Sequence, residues 1–196
     1  MIGTGAEVVR YLVQAVGSLY LVIVLLRLLL QLARADFYND LSQFIVKATN
    51  PLLRPLRRVI PPIGRVDTAS LVLALAIQVL ASCILILVMG FTIPNPLMLM
   101  LWGAIGLLSL TVKFFFWALI AMIVVSWIAP GSRHPALILI YQLTEPVMAP
   151  VRKLLPPMGG LDFSPILVFL LINVLEIVIR GLATQAHLPF GLVLGI

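Results

Sequence analysis

Apolar positions along this chain come in long unbroken runs, and four of them predict α-helices: residues 11–33, 69–91, 97–128 and 164–186. A hydrocarbon core of about 30 Å takes roughly 20 apolar residues in a helix. Each run is therefore read as crossing a membrane. The third would measure ~48 Å at ~1.5 Å per residue and overshoots the bilayer. Its first turns are placed at the interface, with 107–128 as the crossing part. No basic stretch precedes the first run, which is too long for the apolar part of a cleaved leader, so it is read as a retained span. The expected fold is an all-α membrane protein with four transmembrane helices.

The polar positions between the runs repeat. Aligned without a gap, Thr49–Asp67 and Thr144–Asp162 share eight of 19 residues, including Pro51/Pro146, Pro55/Pro150 and Arg57/Arg152, at an offset of 95. The chain thus divides into residues 1–96 and 97–196, each holding a span, a basic segment (34–67, 129–162) and a second span. Two spans separate the copies, so the halves run in the same direction, as parallel repeats. On a helical wheel, Leu53, Leu56, Val59 and Ile60 fall on one side and Arg54, Arg57 and Arg58 on the other. In the second copy Met148, Val151, Leu154 and Leu155 oppose Arg152 and Lys153. Each copy predicts a short basic amphipathic helix in the headgroup plane. Pro55 and Pro150 suit its first turn. Pro61–Pro62 and Pro156–Pro157 stop it. Gly64 and Gly159 permit the Pro-Pro-x-Gly turn, and Asp67 and Asp162 cap the following spans.

Composition and charge add a direction. Of 196 residues 62% are hydrophobic and 10% charged, with a mean hydropathy of +1.19, against about 25% charged in soluble domains. Segments 34–67 and 129–162 hold nine of the 13 Lys and Arg. The positive-inside rule makes that side cytoplasmic and puts both termini on the outer side. Lys and Arg near an anionic leaflet contribute on the order of 1 kcal/mol each. Arg54, Arg57, Arg58, Arg152 and Lys153 are accordingly the candidate surface for anionic lipid or another membrane protein, a homo-oligomer included. Two readings of the repeated motif stand together: a rigid elbow that fixes orientation, and a recognition surface.

Charge inside a span carries a penalty of roughly 2.5–3.5 kcal/mol. Arg27 and Lys113 are expected to snorkel to opposite interfaces. Glu176 and Arg180, four apart, neutralise each other or line a polar site with Asn173, Gln78 and Ser82. Gln78 and Asn173 align across the repeats and are expected to bond helix to helix. Cys83 is the single cysteine and the histidines, His134 and His187, are isolated, so neither a disulfide framework nor a clustered metal site is expected. No phosphate-binding loop, HExxH or nucleophile elbow is present in the sequence, which argues against an enzyme and against a cofactor. No direct nucleic-acid partner is expected.

The "LTEPVMAPVRKLLPPMGGLDFSP" run, its degenerate partner at 49–70 and the "RADFYNDLSQFIVKATNP" lead-in resemble the YggT family of bacterial membrane proteins and its YlmG relatives over roughly residues 10–185. That resemblance implies a two-repeat inner-membrane protein without established catalytic activity. It also implies an association with osmotic or ion homeostasis in bacteria, and with membrane-complex biogenesis and nucleoid organisation in plastids. Family members often carry an arginine in the last turns of both odd-numbered spans; here Arg27 fills the first place and Met122 departs from it in the second. Arg65 likewise stands where the second motif has Gly160. The resemblance supports a non-enzymatic role in membrane organisation or osmotic tolerance, with an ion- or solute-conducting component as the alternative.

Overall fold

The computed structural model describes residues 3–129, 131–132, 134–154 and 162–196. Six α-helices account for most of them: α1 (Thr4–Leu32), α2 (Asp40–Val59), α3 (Thr68–Val88), α4 (Pro96–Ile128), α5 (Pro135–Leu154) and α6 (Ser164–Gln185). Four, α1, α3, α4 and α6, are long and apolar enough to cross a membrane. They overlap the four apolar runs read from the sequence, which extend one to three residues past the ends of α1, α3 and α6. α4 is a single unbroken helix of 33 residues whose early turns are buried at Leu99, Trp102 and Ile105.

Local chemistry marks the ends. Asn39 and Asn95 cap α2 and α4 by accepting from Leu41 N (3.0 Å) and Met98 N (2.8 Å), and Pro96 and Pro165 occupy first turns where a missing amide costs nothing. α1, α3 and α6 close with a left-handed residue, Arg34, Gly90 and His187. In each, the amide two residues past the cap reaches back to the last turn: Ala35 to Leu30, Phe91 to Ile86 and Leu188 to Ala183.

The second copy repeats the first at the level of elements, since α2 and α5 begin 95 residues apart at Asp40 and Pro135. Within each half the three helices pack on one another, and α3 against α4 joins the halves. The cores are unequal. α1, α3, the first half of α4 and residues 188–194 form the largest, whereas α4, α5 and α6 share a smaller one around Leu119, Met148 and Val168. A third cluster, Leu30, Ile45, Leu139 and Leu143, sits where α1 and α2 meet α5.

One expectation changes at this level. The basic helix is not a short element starting near residue 53. It is the end of a 20-residue helix, with Pro51 and Pro55 inside α2 and Pro146 and Pro150 inside α5. The buried stripe Ser42, Ile45, Thr49 and Leu53, at spacings of three and four, holds the helix together across ring positions that each remove a backbone bond. Residues 187–196, after the last helix, fold back into the largest core.

Candidate functional site

The basic ends of α2 and α5 are built by one plan used twice. Thr49, fully buried, donates its hydroxyl to the Ile45 carbonyl at 2.7 Å. The matching Thr144 donates to Ile140 at 2.8 Å. Beneath Thr49 lies Arg27, whose Nη1 donates to Thr49 Oγ1 (2.6 Å), Asn50 Oδ1 (2.9 Å) and the Val46 carbonyl (3.1 Å). Arg27 is only 5% exposed. It therefore does not snorkel to water, as expected from its depth, but fastens α1 to α2. Under Thr144 stands Met122, its sulfur 3.5 Å from the hydroxyl. The position is kept and the charge is not.

The second shared contact is an ion pair that closes the loop after each basic helix. Arg57 bonds Asp67, which is 2% exposed and also accepts from Ser70 Oγ at 2.5 Å. Burial pushes the Asp67 carboxyl up, but the hydrogen bonds from Arg57 and Ser70 and the guanidinium charge hold it below the usual carboxylate range. Arg152 repeats the pair with Asp162 at 3.3 Å and adds Glu145 at 2.8 Å. Desolvation likewise raises Asp162, while Ser164 and Arg152 bring it below its ordinary value. Asn50 and Glu145 occupy matching positions. The first serves Arg27 and the second serves Arg152, so the second copy lacks the span cation and carries instead an added carboxylate on α5.

In the first copy Ile63 and Val66 exchange backbone bonds of 3.2 and 3.0 Å around Gly64, which sits at φ 59°. A side chain there meets strain even though the space is open. Thr68 Oγ1 ties the turn to the Pro61 carbonyl at 2.6 Å. Pro61 and Pro62 are exposed. Pro156, Pro157 and Gly159 lie outside the described residues. Arg54, Arg58 and Lys153 are exposed and join no ion pair among the described residues. Of the five candidate surface cations, Arg57 and Arg152 are thus already engaged within the chain.

Gln78, Ser82 and Asn173 do not join Glu176 and Arg180 at one site. Gln78, fully buried, donates to the Leu194 carbonyl at 2.9 Å, whereas Asn173 is exposed and bonds its own helix at the Phe169 carbonyl. Neither amide therefore bonds one helix to another as expected: Gln78 reaches the terminal segment of the other half, and Asn173 stays on its own helix. Arg180 and Glu176 pair along α6 at 3.1 Å. They line a cavity of about 240 Å³ with Ser109, Lys113 and Phe190. Lys113, which is exposed, donates to the Gly195 carbonyl at 2.8 Å. Among the described residues no group of three metal-ligating side chains occurs. Sequence reasoning missed Thr49 and Thr144 as anchors and Asn50 and Glu145 as partners. The recurrence of the threonine in the gapless alignment was the available signal.

These features define a class: multi-pass helical membrane proteins made of a tandem repeat. One family model, CCB3/YggT, matches the chain twice, at residues 6–88 and 101–183, the same offset that relates the two ion pairs. The chain belongs to the CCB3/YggT family. It is 50% identical to the uncharacterized protein PA0392 of Pseudomonas aeruginosa across 96% of each chain. Against the uncharacterized protein YggT of Escherichia coli K12 the identity is 41%, over 85% of this chain and 86% of that one. The chloroplastic protein CCB3 of Arabidopsis thaliana, whose name speaks of cofactor assembly of complex C, is 35% identical across 40% of this chain and 45% of its own length. No solved structure matches the chain.

Proposed function

We propose that this protein is a non-catalytic inner-membrane organiser. Its two basic helices, facing the cytoplasm, hold anionic lipid and dock other membrane components for assembly. The observation that carries this reading is the exposure of Arg54, Arg58 and Lys153 while their neighbours Arg57 and Arg152 are spent on loop closure. The name of the chloroplast relative, which speaks of assembly of a complex, points the same way. The halves run parallel, with 107–128 as the crossing part of α4 and both termini outside. Osmotic tolerance follows as a downstream effect of membrane organisation.

The joint variant Arg54→Gln, Arg58→Gln, Lys153→Gln tests it. Three cations at about 1 kcal/mol each correspond to a loss of roughly 100-fold in preference for anionic over zwitterionic lipid. Mixed-lipid nanodiscs measure that preference by the lipid retained around the protein, and it should weaken with salt. The variant should insert normally yet fail to restore complexes missing from membranes that lack the protein. An unchanged lipid preference, or full restoration, refutes the proposal. Cysteines placed at Arg54 and Lys153 should react from the same, cytoplasmic face.

A second reading is favoured by the cavity beside Glu176 and Arg180: a conducting component, in which Glu176→Gln changes cation flux into liposomes. Flux that is absent, or indifferent to that substitution, removes it.

A further inference from the structure

Residues 187–196 lie beyond both stretches matched by the family model, the second of which ends at 183. They have no helix or strand, yet Leu192, Val193 and Leu194 are each no more than 3% exposed. The segment leaves α6 through the left-handed His187 and seats itself among α1, α3 and α4. That seat is far from the basic helices: Gln14 and Arg27 are 13 residues apart on α1, roughly 20 Å along the axis.

The seat grips main chain. Gln14 donates to the Gly191 carbonyl (2.8 Å), Gln78 to Leu194 (2.9 Å), and Ser109 and Lys113 both to Gly195 (2.7 and 2.8 Å). Donors from three helices therefore read carbonyls, which every peptide offers, while apolar slots take Leu192, Val193 and Leu194. Glycines set the approach. A Cβ on Gly106 would stand 3.0 Å from the Leu194 carbonyl, and one on Gly195, at φ 92°, 3.2 Å from the Gly106 carbonyl.

The occupant is an imperfect one. Gln78 Oε1 and Ser82 Oγ, both on fully buried residues one turn apart on α3, have no hydrogen-bond partner among the described residues. A buried polar atom left so costs about 1–3 kcal/mol. The segment satisfies the donor side of Gln78 and leaves the acceptor side unpaired. It is also joined to α6 by an irregular link in which Phe190 is 87% exposed, so it can leave without unwinding the helix.

We infer that the groove between α1, α3 and α4 is a binding site for an apolar, glycine-bearing polypeptide segment of a partner, and that residues 187–196 are its tethered occupant. A partner segment that also presents an amide to Gln78 Oε1 displaces the tether. This site is independent of the basic helices proposed above.

A labelled synthetic peptide of residues 187–196 is the probe. The chain truncated after His187, purified in detergent with its helix content intact, should bind the peptide. The full chain should bind it at least ~10-fold more weakly, because a tethered competitor acts at millimolar effective concentration. Gln78→Leu or Lys113→Ala in the truncated chain, or Gly195→Val in the peptide, should each weaken binding about 10-fold. Equal binding to both chains, or no binding to the folded truncated chain, overturns the inference. The full-length chain provides a second measurement that does not depend on truncation. In Cys83→Ser with Val193→Cys, the new thiol should react slowly, and several-fold faster once excess peptide is added. A rate that the peptide leaves unchanged also overturns it.

Discussion

Asp67 and Asp162 show how much burial changes one residue used twice. Both are paired with an arginine ten positions earlier, but the Asp67 side chain is 2% exposed and that of Asp162 is 43%. Removing a partner from a buried charge-assisted bond costs about 2–3 kcal/mol, and from an exposed pair under about 1 kcal/mol. Asp67→Asn should therefore lower thermal stability in detergent clearly and Asp162→Asn barely. The sign with pH follows from the depressed value of Asp67. Its stabilisation is full above the carboxylate's unfolded value and is lost as pH falls through the lower folded value. An acid titration of unfolding should show that loss in the parent chain and a weaker one in Asp67→Asn. Equal sensitivity of the two single variants would refute the distinction. Asp67 was visible in the sequence as the cap of α3, because a carboxylate before an apolar run is a local signal, whereas Asp162 stands one residue before the α6 cap, Phe163, and accepts from Ser164 N. Their arginine partners were not, since a pair ten residues apart depends on how the intervening turn folds.

At the scale of elements, α2 and α5 are held to their spans by different chemistry at the same place. Arg27 gives three hydrogen bonds to α2, and Met122 only a sulfur contact to α5. Arg27→Ala strands three acceptors and should cost about 2–4 kcal/mol. It should also speed amide exchange in α2 while leaving α5 untouched. Met122→Ala should do the reverse, at about 2–3 kcal/mol for the lost packing. Exchange that rises equally in both helices would show that the anchors are not separate. The spans themselves were legible, because runs of more than about 20 apolar residues admit few alternatives. The lengths of α2 and α5 were not. Their interior prolines read as boundaries, and the stripe that overrides them begins at Ser42, outside the repeated motif.

For the whole molecule, the repeat was readable at the level of sequence, and the asymmetry between its halves was not. Residues 187–196 carry two glycines, a proline and no helical or alternating period, so nothing local predicts their burial. The largest core nevertheless includes them, together with α4, which belongs to the second half by sequence but packs against α3 of the first. Fragments 1–92 and 93–196 expressed together should assemble into a complex that co-purifies. The fragment 1–92 alone should aggregate, because the face of α3 that meets Gly103 and Gly106 of α4 is then uncovered. Recovery of 1–92 as a stable monomer would contradict this division of the core.

That use of α4 bears on chains holding only one copy of the unit. Such a chain has the arginine–aspartate clasp and its three helices, but not the neighbour against which its last helix closes. The apolar face left open is satisfied most directly by the first helix of another molecule of the same kind. Here the few residues between Val88 and Pro96 deliver that covering helix on the same chain, at a fixed distance from the face it closes.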